Sequence, residues 1–183
     1  MLMERRAHDV RLLDAIGAIE PVVNENAVWR CVRDGRPPTD GSRGSGRWNP
    51  SDLSVLYCAE QPDGALAEIY FHLSRGQPVF PSRLRHRLWK LGADLSGALM
   101  LLDLDQLARL GVEKSRYRDI LYARTREIGA AAAFLGFDGL IAPSARFDCA
   151  NLVVFLGNAA PEALAETGSE AVDWPAYMAR SGR

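Results

Sequence analysis

Apolar residues fall in short dense blocks separated by polar stretches marked with glycine and proline. Four blocks are continuous runs of strand length: "SVLYCA" (54–59), "ALMLLDL" (98–104), "FDGLIAP" (137–143) and "NLVVFLG" (151–157). Such runs suit strands covered on both faces. "ENAVWRCV" (25–32) reads as a further strand centred on Val28 and Trp29. "RLRHRLWKL" (83–91) alternates Leu84, His86 and Leu88 with basic residues, which predicts a half-exposed strand. Helical spacing appears elsewhere. Over residues 8–19, Val10, Leu13, Ile16 and Ala18 fall near one face, and Pro21 stops the segment. "PDGALAEIYFHLSR" (62–75) predicts a helix with Asp63 near its start, and "DQLARLG" (105–111) a short one closed by Gly111. The longest helix is expected over 116–135, with Ile120, Ala123, Ile128, Ala131 and Leu135 as its inner stripe.

Strands and helices mix without a strict βαβ rhythm. The expected class is therefore α+β, a curved mixed or antiparallel sheet flanked by helices. The 183 residues suit one domain, 1–183, with a tail over 159–183 packed outside as helix or loop. Between two predicted strands lies "RDGRPPTDGSRGSGRWNP" (33–50). Its glycines and prolines exclude regular structure, and its length suggests a lid or binding loop.

Composition narrows the function classes. The net charge of −1 gives no global pull toward nucleic acid. The charge is uneven, however. Arg30, Arg33, Arg36, Arg43 and Arg47 crowd residues 30–50, and Arg75, Arg83, Arg85, Arg87 and Lys90 crowd 75–90. Each run is either a solvated basic face or an anion site. Cys31, Cys58 and Cys149 lack CxxC spacing and His8, His72 and His86 are scattered, so no metal site is expected. The cysteines read as reduced residues of a cytoplasmic protein. No stretch approaches the roughly 20 apolar residues of a membrane span, and no cleavable signal pattern is present. Gly41, Gly44 and Gly46 match neither GxGxxG nor GxxxxGK[ST], and there is no GxSxG or HExxH.

Polar residues remain beside the apolar runs: Arg30, Arg47, Asn49, Tyr57, Glu68, Ser144 and Asn151. The pieces that carry them are "VWRCV", "GSGRWNPSDLSVLY", "ALAEIYFHL", "FDGLIAPSAR" and "NLVVF". In that order, across about residues 25–158, they resemble the RES-domain family, named for its arginine, glutamate and serine. The resemblance implies an ADP-ribosyltransferase-like fold and a toxin of a bacterial toxin–antitoxin pair. It implies NAD+ as substrate, cleaved by phosphorolysis or hydrolysis, with inorganic phosphate a possible co-substrate and no resident cofactor. The implied partner is an antitoxin with a helix-turn-helix (Xre-like) domain, and a homodimer is left open. Two other readings stay open: an ADP-ribosyltransferase that modifies a host protein, and a nucleic-acid-binding module using the strand at 83–90.

On this resemblance Arg30, Glu68 and Ser144 form the catalytic set, and Arg47, Tyr57, Asn49, Asn151 and His72 bind substrate. Arg30 and Arg47 would grip the diphosphate, since a planar guanidinium matches two oxygens at once. Glu68 would meet the positive character that develops on the ribose as the nicotinamide leaves. Tyr57 would stack on the nicotinamide and use its hydroxyl on ribose or phosphate. Ser144 would bond ribose or phosphate, and Asn151, at the start of the last strand, would bind substrate or only satisfy a turn. His72, one helical turn beyond Glu68, would orient it or simply pack. Trp48 is expected as a lid anchor.

Overall fold

The computed structural model describes residues 7–42, 44–76 and 83–182. Arg43 of the basic loop therefore lies outside the described residues.

Eight strands form one sheet: β1 (Val22–Asn24), β2 (Ala27–Arg33), β3 (Val55–Ala59), β4 (His86–Ala93), β5 (Leu95–Met100), β6 (Gly139–Pro143), β7 (Ala150–Phe155) and β8 (Leu164–Ala171). Their spatial order is β1-β5-β6-β7-β3-β2-β4-β8. Only β5 and β6 run parallel. The sheet curls until β1, at one edge, reaches β4, near the other, where Asn24 Nδ2 donates to Ala93 O at 2.9 Å. Mixed sheet and flanking helices match the expected α+β class.

The apolar runs owe their continuity to burial on both faces. In β3, Val55 faces one core cluster and Leu56 and Cys58 another. In β7, Val153 and Phe155 point one way and Leu152 and Val154 the other. Strand periodicity of two sorts these side chains. The outer face is covered by α1 (Val10–Gly17), α3 (Leu104–Arg109) and α4 (Ala123–Phe134), through Leu12, Ile16, Leu107, Ile128 and Ala131. A third cluster joins α2 (Pro62–Ser74) and α5 (Trp174–Ser181) to β2, β3 and β4 through Ala65, Leu66, Cys31, Ala59, Leu88, Trp174 and Tyr177.

Four elements differ from the sequence expectation. The helix expected over 116–135 is only α4, preceded by a 3-10 turn at Lys114–Arg116, and Ile120 and Leu135 are exposed. The reason is long-range. Carbonyls of Tyr117, Arg118 and Asp119, which a helix would use internally, accept from Arg47 Nη1 (2.8 Å), Arg146 Nη1 (2.7 Å) and Arg47 Nη2 (3.2 Å). Asp9 caps α1 by accepting from Arg11 N, and this sets a face of Leu12 and Ile16 that leaves Val10 exposed. The strand expected at 98–104 is shifted to Leu95–Met100, because Asp103 caps α3. The tail contains a strand, β8, and a helix, α5, whose Trp174 and Tyr177 are buried. β8 is an edge strand, and its exposed Glu166 and Glu170 discourage pairing with another chain.

Candidate active site

The sheet has a gap. β2 pairs with β4 at seven positions from Ala27 to Arg33, but with β3 only at Trp29↔Ala59. Beyond that pair the two strands splay. Arg30 bridges the opening: Nη1 donates to Tyr57 O at 3.1 Å and Nη2 to Asp40 O at 2.7 Å. A side chain thus satisfies a carbonyl that the missing ladder leaves open. Burial pulls this guanidinium below its ordinary pKa.

Over the gap lies a cleft of about 480 Å³. Its walls are β2, β3, α2 and loop residues 42 and 44–48, and Tyr122 and His86 also line it. The start of α2 sits very close to the sheet. A Cβ on Gly64 would stand 2.5 Å from Cys149 Sγ and 3.1 Å from Ala59 Cβ. This approach, with Ala65 and Ala67 buried behind it, carries Glu68 to the ends of β6 and β7.

There Glu68 Oε1 accepts from Ser144 Oγ at 2.9 Å and from Asn151 Nδ2 at 3.1 Å. Ser144 Oγ itself accepts from the backbone N–H groups of Arg146 (3.1 Å) and Phe147 (3.3 Å), so its one proton is directed at Glu68. Among the described residues Oε2 of Glu68 takes no hydrogen bond. Asn151 Oδ1 is buried and also lacks a donor, although Asn151 lines the cleft. Three residues far apart in sequence therefore meet at one fixed carboxylate oxygen and leave the other, Oε2, without a partner among the described residues. His72, one turn on, also lines the cleft. Desolvation holds its imidazole below the usual histidine range, and the charges of Arg146, Arg75 and Arg47 lower it further against the pull of Glu68.

The remaining predicted residues are placed differently. Asn49 is fully buried and is absent from the cleft wall. Its Oδ1 accepts from Gly46 N and from the Tyr57 hydroxyl, and its Nδ2 serves carbonyls of Gly44, Pro50 and Leu53. It shapes the loop from within. Tyr57 lines the cleft, but its hydroxyl accepts from Trp48 N at 2.9 Å and donates to Asn49 at 2.8 Å, so only the ring is open to a ligand. Burial pushes that phenol well above its ordinary pKa. Arg47 stacks on Tyr117 (4.9 Å) and Tyr122 (4.6 Å) while holding the carbonyls of Tyr117 and Asp119. Arg30 and Arg47 thus each commit both terminal nitrogens to main-chain oxygens, a scaffolding task that the sequence did not announce. Trp48 is 2 % exposed, and its carbonyl abuts Gly129 of α4, which agrees with an anchor for the loop.

Sequence reasoning gave no site role to Trp29 or Tyr122 and named Arg33 and Arg36 only within a basic run that was either a solvated face or an anion site; all four line the cleft. The excess of arginines over acids in 30–50 was the available signal for the two arginines. Burial raises the thiols of Cys31 and Cys58 to about 12, which makes poor nucleophiles of them. Among the described residues no group of three or more His, Cys, Asp or Glu is arranged to hold a metal ion. No helix there is long and apolar enough to cross a membrane.

Comparison with known proteins places this geometry. A chain in the crystal structure of the M. tuberculosis MbcT-MbcA toxin-antitoxin complex superposes with a TM-score of 0.84, covering 97% of this chain and 100% of that one at 21% identity. At that identity the match speaks for the fold. "Toxin Res" of Pseudomonas putida is 40% identical over 47 residues, which is 26% of this chain and 32% of that protein, so the alignment spans about a third of the relative's length. The RES domain profile matches residues 27–176, from the start of β2 into α5, and the chain belongs to the RES domain family.

Proposed function

We propose that the chain is the toxin of a toxin–antitoxin pair and that it cleaves NAD+ at the nicotinamide–ribose bond. The observation that carries this reading is the Glu68 carboxylate, fixed by Ser144 and Asn151 at the wall of a cleft rich in guanidinium groups. By name and title, the two proteins reported above are a toxin and a chain from a toxin–antitoxin complex.

The chemistry suits these residues. When the ribose C1′–N bond breaks, its electron pair leaves with the nicotinamide, whose ring becomes neutral. Positive character is left on the sugar, as in glycoside cleavage. A carboxylate held near C1′ gains attraction as that charge arrives. One pair at 4 Å is worth about 4 kcal/mol at an effective dielectric of 20. Because the ring's charge was already close by, only the difference accelerates the step. Oε1 is immobilised, so Oε2 is the oxygen available to ribose hydroxyls or to an attacking water or phosphate. The acceptor oxygen bonds to C1′ and its proton passes to the carboxylate or to solvent. The open face of the Tyr57 ring gives the planar nicotinamide a stacking surface.

The test is incubation of the purified chain with NAD+, with and without inorganic phosphate. Release of nicotinamide is expected, with ADP-ribose or its 1″-phosphate as the second product. No release under either condition would overturn the reading, and label accumulating on a protein would assign transfer instead. A partner is proposed on the same footing: expression of the chain alone should arrest growth, and a co-expressed antitoxin that forms a complex should relieve it.

A further inference from the structure

Among the described residues the cleft is lined by four guanidinium groups, those of Arg30, Arg33, Arg36 and Arg47, against one carboxylate, Glu68. Arg30 and Arg47 hold main-chain carbonyls with both terminal nitrogens. The other two are differently placed. Among the described residues Arg33 makes no side-chain hydrogen bond or ion pair. The neighbouring carboxylate of Asp34 is taken by Arg87 Nε at 3.1 Å. Arg36 gives Nη2 to Gly41 O at 2.7 Å, but its nearest carboxylate, Asp40, stands at 3.8 Å, and its Nε is buried without an acceptor.

These two arginines are the first and last residues of one tight turn. Arg36 N donates to Arg33 O at 3.0 Å, and Gly35 sits at φ 84°, the left-handed conformation that the third position of a type II turn requires. Such a turn brings its end residues within about 7 Å at Cα. "RDGR" is thus a compact turn whose two end residues both line the cleft, at the point where β2 has left β3. Asp34 is kept out of the way by Arg87, so the turn's own acid does not quench them.

We propose that Arg33 and Arg36 form a diphosphate subsite of the cleft, one guanidinium per phosphate group. The ligand class is a nucleoside diphosphate ester of ribose, and the proposal rests on the NAD+ reading above by naming where its two phosphates sit. The subsite is distinct from Arg30, whose task is to bridge the splayed strands. The fork of Arg33 offers two parallel N–H donors to phosphate oxygens, and Arg36, with Nη2 held by Gly41 O and Nε buried, offers Nη1. The excess of positive charge in the lining complements the two charges of the diphosphate, and the mostly apolar surroundings at Trp29, Ile69 and Leu73 reduce screening.

The experiment measures binding of two probes, ADP-ribose and inorganic pyrophosphate, by calorimetry to the Glu68→Gln chain, so that nothing is consumed. The same measurement is made on that chain carrying Arg33→Gln, Arg36→Gln or both. Arg109→Gln, on exposed α3, makes the same charge change away from the cleft. Arg36→Lys, which keeps charge but loses the fork, guards against a folding defect, and thermal unfolding of every variant is compared. Each Gln substitution should weaken both probes roughly tenfold or more, the scale of a charged hydrogen bond, and Arg109→Gln should change neither. Equal binding of ADP-ribose by the double variant and the Arg109→Gln control would overturn the subsite and leave the NAD+ reading standing. Pyrophosphate binding that depends on both arginines, with no ADP-ribose binding, would support the subsite and contradict the NAD+ reading. Failure to bind either probe would overturn both.

Discussion

Replacing Asn49 by alanine should destabilise the fold markedly. The side chain is 0 % exposed. Its Oδ1 accepts from Gly46 N at 2.9 Å and from the Tyr57 hydroxyl at 2.8 Å. Its Nδ2 lies 3.1 Å from Gly44 O, 2.9 Å from Pro50 O and 3.0 Å from Leu53 O. Two amide hydrogens cannot serve three carbonyls at full strength, so two donated bonds are the fair count. Gly46 N keeps a second acceptor, Asn49 O at 3.0 Å, and loses little. Three bonds at about 1 kcal/mol each give a loss of about 3 kcal/mol, rising toward about 5 kcal/mol if buried carbonyls stay unsatisfied. For a chain of this size, 3 kcal/mol lowers Tm by about 6–12 °C. Urea unfolding with an unchanged slope is the assay. Asn49→Asp keeps the shape but turns an oxygen toward three carbonyls and buries a charge, so it should be at least as damaging. A loss below about 1 kcal/mol in the alanine variant, or an aspartate variant more stable than it, would refute the assignment of Asn49 to the loop's interior.

Three further outcomes follow from the packing and the charges. Gly129→Ala should lower Tm despite alanine's better helix propensity, because its Cβ would stand 1.8 Å from the Trp48 carbonyl and only backbone could yield; a rise in Tm would refute the contact. Arg47→Gln should speed tryptic cutting after Arg116 and Arg118, since two of the bonds that pin their loop are lost; an unchanged digestion rate would show that the loop holds without them. His86 is held below its ordinary pKa, chiefly by burial and further by Arg33, against a hydrogen bond with the Leu84 backbone. Below about pH 6.5 the unfolded chain therefore binds more protons at this position than the folded one. Stability present above that pH is lost as pH falls through the unfolded value toward the folded one. Protonation of Nδ1 would also end the bond it accepts from Trp174 Nε1 at 3.2 Å. Denaturant midpoints measured from pH 7.5 to 5 should fall less for His86→Gln than for the parent chain, and parallel curves would exclude the effect.

What the sequence could reveal depended on whether a residue's task was local. β3, β6 and β7 were legible because both faces are buried and the run stays apolar from end to end. β8 was not, because nearly all of its residues are exposed on both faces and no alternation is left to read. The segment 116–122 has helical spacing, but Arg47 and Arg146 capture its carbonyls from about 70 and 28 residues away, and no window over the segment contains that information. The polar site divides the same way. Glu68, Ser144 and Asn151 were picked by resemblance, and they meet at one carboxylate oxygen. Arg30, Arg47 and Asn49 were picked on the same resemblance, yet their donors and acceptors meet main-chain groups and the Tyr57 hydroxyl. A guanidinium that binds phosphate and one that bridges two strands look alike in sequence. Only the single rung between β2 and β3 separates them.

The central claim is that the Glu68 carboxylate stabilises charge developing on a ribose. Its most direct test is the rate of nicotinamide release from NAD+ under single-turnover conditions by the parent chain and by Glu68→Gln, an isosteric change that keeps an acceptor oxygen for Ser144. An interaction of up to about 4 kcal/mol corresponds to a fall approaching a thousandfold, and about a hundredfold or more is expected, with ADP-ribose binding little changed. A Glu68→Gln rate within tenfold of the parent would contradict the account.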